Sequence, residues 1–199
     1  MGSHWVDTAE FVTGRRVSAV LADFAAFMTS RQRPTVGSAA FESSGGERAT
    51  VPITSEDAAT ILLRFDDGSR GAVVISQVSP GRKNAFGFEI AGSRASLAWE
   101  QERPESLWIG ARAEARRLHR EPQPVASGIP SLPAGHPEGW AEALRDVLRP
   151  FYAAIAEGVP PPVYDAAPYP TLADGVWAVA VVEAVVASAR SERWTEPAG

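Results

Sequence analysis

The chain has 199 residues, a formal net charge of −5 and no cysteine. The charge excludes a basic nucleic-acid footprint, and the missing cysteines exclude disulfides, thiolate metal centres and thiol catalysis. With 45% hydrophobic and 22% charged residues, the composition is that of a globular chain able to bury a core, and the length suits one large or two small domains.

His4 to Thr13 is a short helix candidate, with Trp5, Ala9 and Val12 on one face and Gly14 as its stop. Val17 to Phe27 reads as a strand. Residues 30–50 are polar and interrupted by Pro34, Gly45 and Gly46, so a mobile surface loop is expected there. Ala59, Ile61, Leu63 and Phe65 then alternate with Thr60, Leu62 and Arg64, and Asp66-Asp67-Gly68-Ser69 supplies a tight hairpin turn.

Return strands follow around Val73 and Ile75, Phe86 to Ile90, Ala95 to Trp99 and Leu107 to Ile109, giving an antiparallel meander over 58–110. Thr60, Leu62 and Arg64, set against Val73 and Ile75, leave its second face half apolar, which points to an oligomer interface. Residues 111–136 read as an Arg- and Pro-rich loop, with a ragged strand near Arg116–His119.

Trp140, Leu144, Val147, Leu148, Phe151, Tyr152 and Ile155 fall at helical spacing up to Gly158, with Pro150 inside. A Pro-rich connector leads to a last helix from Thr171, with Asp174 in a capping-box position, to about Arg190. Its longest apolar stretch, Val176 to Val186, is interrupted by Glu183 and falls short of the ~20 residues of a membrane span. No signal peptide is visible, so a cytoplasmic protein without membrane or nucleic-acid partners is expected. Strands and helices are segregated, which defines an α+β class: an open, mainly antiparallel sheet with helices packed on one face, in a single domain over 1–199.

No motif for dinucleotide binding, for a phosphate-binding loop, for a serine hydrolase or for a zinc protease is present, and no metal site is expected. The histidines are His4, His119 and His136. His4 and Asp7, at i and i+3, can share a helix face as a carboxylate-oriented acid/base pair. On spacing alone they are equally a polar pair at a helix start, and Met1-Gly2-Ser3-His4 resembles a cloning remnant. His136 sits in the loop Gly135-His136-Pro137-Glu138-Gly139-Trp140, where a histidine can meet a ligand or cap the helix. His119 reads as solvated. Of the six tryptophans, Trp108 and Trp194 are the least anchored by pattern.

Several short stretches, in this order and spacing, resemble the C-terminal domain of the Gfo/Idh/MocA oxidoreductases almost end to end. They are Gly2-Ser3-His4-Trp5-Val6-Asp7, Glu10-Phe11-Val12-Thr13-Gly14, Asp57-Ala58-Ala59, Phe65-Asp66-Asp67-Gly68, Ile90-Ala91-Gly92-Ser93, Gly135 to Trp140, and Pro170-Thr171-Leu172-Ala173-Asp174-Gly175. The resemblance makes residues 2–4 native sequence. It implies an open antiparallel sheet that shapes a substrate pocket and joins subunits, and a site in which His4 is the catalytic acid/base and Asp7 and His136 bind a sugar or polyol.

The family's N-terminal Rossmann domain, which binds NAD(P), has no counterpart here. Neither does its Glu-Lys-Pro segment: Lys83, the one lysine, falls in a turn and is not equivalent by order. The family's active-site helix reads Asp-x-x-x-His-x-x-Asp, and its first Asp would fall just before Met1. The expectation is therefore the substrate-binding and oligomerisation part of an NAD(P)-dependent sugar or polyol oxidoreductase, inactive alone, and either truncated or completed by a separate Rossmann chain. The alternative is a non-catalytic sugar-binding or assembly module.

Overall fold

The structure is a computed structural model and describes residues 2–35, 47–120, 132, 136–159 and 169–198. The sequence reads as one domain. In the structure the chain forms two compact units, residues 1–80 with 172–199 and residues 81–171.

The first unit opens with α1 (Gly2–Thr13), and Gly14 ends it at φ +65°, a backbone state open to glycine without steric cost. β1 (Val17–Ala25) follows, then β2 (Ser30–Pro34) and β3 (Arg48–Pro52). These last two strands correct the loop expected over 30–50: they pair antiparallel, Arg31 opposite Val51 and Arg33 opposite Ala49. The polar composition reflects an exposed ribbon, because strand pairing satisfies the backbone whatever the side chains are. Residues 36–46 of the expected loop lie outside the described residues.

β4 (Ala58–Phe65) and β5 (Arg70–Ser76) form the expected hairpin. Gly68 takes φ +87° in its turn, and the Asp67 carboxylate accepts from the Ser69 N–H at 2.9 Å. The order of this sheet is β1-β4-β5, and Thr195 pairs with Val20 along the outer edge of β1. Alternation along β4 and β5, with a register shift between Val17 and Ala19 in β1, directs Val17, Val20, Ile61, Leu63, Phe65 and Val73 to one face.

α3 (Leu172–Ser191) lies on that face through Val181, Ala184 and Val185. Its small side chains let it approach closely, and burial stabilises each large core side chain by about 1.5–3 kcal/mol. By length and composition α3 could cross a bilayer, contrary to the reading of its apolar stretch as too short. Its packed face is nevertheless part of this core. Ser188, fully buried on α3, accepts from the Ala22 N–H at 3.0 Å and donates to the Arg193 carbonyl at 2.6 Å, so helix, strand and C-terminal turn share one hydroxyl.

Val73 and Ile75 face this core, opposite Ile61 and Ala59, which corrects their assignment to the open face. Leu62 and Val74 are the exposed apolar residues there.

The second unit holds β6 (Gly87–Ala91), β7 (Ala95–Glu100), β8 (Ser106–Ala111) and β9 (Ala115–His119), paired in that order, and α2 (Trp140–Ala156). The meander expected over 58–110 is therefore divided: β5 and β6 are not paired. The register places Phe88, Ile90, Leu97, Trp99, Leu107, Ile109 and Leu118 on one face. On the other, the Trp108 ring lies across Gly110, where any Cβ would collide with it at 2.2 Å. Trp194, in the first unit, carries the Arg64 guanidinium 4.0 Å from its ring centroid. Both tryptophans that pattern left unanchored thus have defined neighbours.

Candidate functional site

The site begins with α1. Val6 is buried, and Trp5 and Ala9 pack beside it, while Val12 stays exposed. The core-facing stripe is therefore Trp5–Val6–Ala9 rather than the expected Trp5–Ala9–Val12. That orientation leaves His4 and Asp7 exposed.

Glu10 holds the far end of the helix. Its carboxylate accepts from the Val17 N–H at 2.7 Å and the Trp177 indole N–H at 2.9 Å, and it pairs with Arg16 at 3.3 Å. Arg16 also reaches Asp174 at 3.4 Å. The first turn of α3 is thereby tied to the end of α1, which fixes the azimuth of His4 and Asp7. A cavity of about 200 Å³ opens near the start of α1, lined by Gly2, Val6, Phe24, Ile61, Ile75 and Val185 among others. Its walls are mainly apolar, and neither His4 nor Asp7 lines it.

Asp57, at the rim of that cavity, is 3% exposed and is explained by backbone chemistry. Its carboxylate accepts from the Phe27 N–H at 3.0 Å and the Met28 N–H at 2.8 Å. The Phe27 hydrogen bond is the main cause that holds its pKa below 3.8. Asp57 closes the turn after β1 and is not free to act as an acid.

His136 lies in the second unit, exposed, in the approach to α2. Its backbone belongs to a network absent from the sequence reading. The Arg120 guanidinium donates to Glu105 at 2.7 Å, to the Leu132 carbonyl at 3.3 Å and to the His136 carbonyl, and pairs with Glu138 at 2.9 Å. The Arg120 hydrogen bond is the first cause that lowers the Glu105 carboxyl below 4.5. Arg120 belongs to an arginine-rich stretch with no distinguishing spacing, so no sequence signal marked it. His119 is exposed at the end of β9, as expected.

His4 and Asp7 thus share one helix, and His136 stands on a separately braced loop of the other unit. Among the described residues no cluster of three His, Cys, Asp or Glu could hold a metal ion.

The described residues do not fit a dinucleotide. Every strand pair is antiparallel, whereas the pyrophosphate cradle is a glycine-rich turn from a parallel strand into a helix N-terminus. The first turns of α2 and α3 carry Glu142 and Asp174, and the Glu142 carboxylate accepts from the Gly139 N–H at 2.8 Å. At these two helix starts carboxylates already stand where phosphate charge would go.

Antiparallel sheets and segregated helices define an α+β domain that presents His4 and Asp7 to solvent on α1. The family model described as the oxidoreductase family, C-terminal alpha/beta domain, matches residues 1–196, and the chain belongs to this Gfo/Idh/MocA family. Levoglucosan dehydrogenase of Pseudarthrobacter phenanthrenivorans is 28% identical over 98% of the chain and 50% of its own length.

Among solved structures, an oxidoreductase domain protein from Kribbella flavida matches with a TM-score of 0.81 and 31% identity, over 100% of this chain and 50% of the other. Levoglucosan dehydrogenase in complex with NADH and L-sorbose matches at 0.76 and 26%, over 100% and 49%. The chain spans about half the length of the relatives it matches.

Proposed function

We propose that this chain is the substrate-binding and oligomerisation part of an NAD(P)-dependent oxidoreductase acting on a sugar or polyol, working in the cytoplasm. One observation carries the reading: within a chain that matches the oxidoreductase C-terminal domain over 1–196, His4 and Asp7 stand exposed on a helix whose opposite side is anchored in the core by Val6. In this reading His4 takes and returns the proton of the substrate hydroxyl, Asp7 holds neighbouring hydroxyls, and His136 is a further sugar-binding residue. The described residues offer no cradle for NAD(P), and in this reading the cofactor is held by a Rossmann domain, in the same polypeptide or a partner.

Support for the sugar class comes from the relatives, whose bound molecules include levoglucosan and L-sorbose. The oligomer is a pairing of copies through the apolar face of β6–β9, none of whose residues is buried within one chain.

The test is calorimetric titration of the purified chain with levoglucosan, L-sorbose and myo-inositol, alongside sedimentation velocity at micromolar concentration. Saturable binding lost in His4→Asn and Asp7→Asn is expected, together with a species larger than a monomer that Ile109→Arg dissociates. Binding untouched by both substitutions would overturn the site and favour a non-catalytic module. A strictly monomeric chain would overturn the interface.

A further inference from the structure

Arg120 follows the last residue of β9, and its backbone N–H donates to the Glu105 carbonyl at 2.9 Å, one step beyond the Ser106–His119 pair. Its side chain is only 18% exposed. From there one guanidinium reaches two carboxylates and two main-chain carbonyls, those of Glu105, Glu138, Leu132 and His136. The carboxylates face the same loop in turn. Glu105 Oε1 accepts from the Glu138 N–H at 2.7 Å, and Glu138 Oε1 accepts from the Leu132 N–H at 2.7 Å.

The main chain at residues 132, 136 and 138 is therefore clamped onto the end of the β8–β9 ladder by charge-assisted hydrogen bonds, about twice as strong as neutral ones. Immediately afterwards Glu142 fixes Gly139 and starts α2. The planar fork matters here, because a lysine ammonium cannot present several donors in one fixed plane.

We propose that Arg120, with Glu105 and Glu138, is a positioning residue for His136: it holds the backbone that carries the imidazole and so sets the direction in which the ring meets a bound sugar. The inference rests on the reading of His136 as a ligand-binding residue, but its own test does not depend on that reading.

The test is a histidine Cε1–H correlation spectrum of the 199-residue chain. The three signals are assigned from His4→Asn, His119→Asn and His136→Asn. In Arg120→Met the His136 signal should move to the position of an unstructured peptide while the His4 signal stays. Arg120→Lys should give most of the same displacement. If Arg120→Met fails to fold, Glu138→Gln, which keeps an acceptor for Leu132, carries the test through a smaller shift of the same signal.

Displacement of all three signals together would mean a general structural role and would overturn the proposal. So would an unmoved His136 signal in a folded variant. Levoglucosan is then added: the wild-type His136 signal should respond, and Arg120→Met should bind at least about tenfold more weakly, the scale of one charged hydrogen bond. A wild-type His136 signal deaf to levoglucosan, L-sorbose and myo-inositol would sink the ligand-binding reading, while the variant spectra would still decide the role of Arg120.

Discussion

The two units spend their apolar residues differently. In the first, α1 and α3 press on β1-β4-β5, and every buried residue among those described belongs to it. In the second, no described residue is buried, although β6–β9 present seven apolar side chains on one face. The apolar stripe of α2 is exposed too, from Trp140 through Leu144 and Phe151 to Ile155. A sheet face is a core only when another layer covers it. The second unit is held instead by strand pairing, by the Phe88–Trp99 stack at 5.9 Å and by the Arg120 clamp. Apolar pattern alone therefore marks surfaces that need cover, not surfaces that have it.

Four substitutions sharpen or break this contrast. Leu63→Ala, in the packed core, should cost about 3 kcal/mol, between transfer and cavity terms, read as a drop in the urea midpoint. Ser188→Ala should cost about 2 kcal/mol, because it leaves the Ala22 N–H and the Arg193 carbonyl without their partner; Ser188→Thr would add a methyl group in a fully buried position and is no rescue.

Leu97→Ala, half-buried on the apolar face of β7, should cost only about 1 kcal/mol in dilute solution. A loss as large as that of Leu63→Ala, growing with protein concentration, would mean that a second copy buries the face and that the contrast disappears on assembly.

The smallest effect concerns acid. Asp57 has a folded pKa below its unfolded value, so its contribution to stability is present above about pH 4 and is lost as pH falls through the folded pKa. Asp57→Asn should leave a less stable protein at neutral pH with a shallower acid limb. An unchanged acid limb in the thermal unfolding of the variant would show that Asp57 is not the group that titrates.

Much of the fold was legible because its signals are local. Alternation over 58–76 with an Asp-Asp-Gly-Ser turn sets a hairpin whatever lies around it, and Gly14 and Gly68 stand where positive φ is needed. The stripe from Trp140 to Ile155 marks α2 equally well. The misses are non-local. Residues 30–34 and 48–52 look like loop because their side chains stay in water on both faces, yet their backbones pair across a long connection. Period-two patterning predicts strands but not partners, so the break between β5 and β6 was invisible, and so was the core-facing direction of Val73 and Ile75.

The candidate site divides in the same way. His4, Asp7 and His136 were readable from residue type, spacing and family resemblance. That His4 and Asp7 are exposed follows from the burial of Val6, and Arg120 emerged only when Glu105, Leu132, His136 and Glu138 came within hydrogen-bond reach from positions far apart in sequence. By itself the sequence determined the α+β class, the helices, the turn glycines and the residue types of the site. The tertiary structure decided which strands pair, which apolar face is covered and which arginine holds the histidine loop. Local propensity acts over a few residues, whereas pairing, burial and ion-pair geometry depend on chain segments meeting in space.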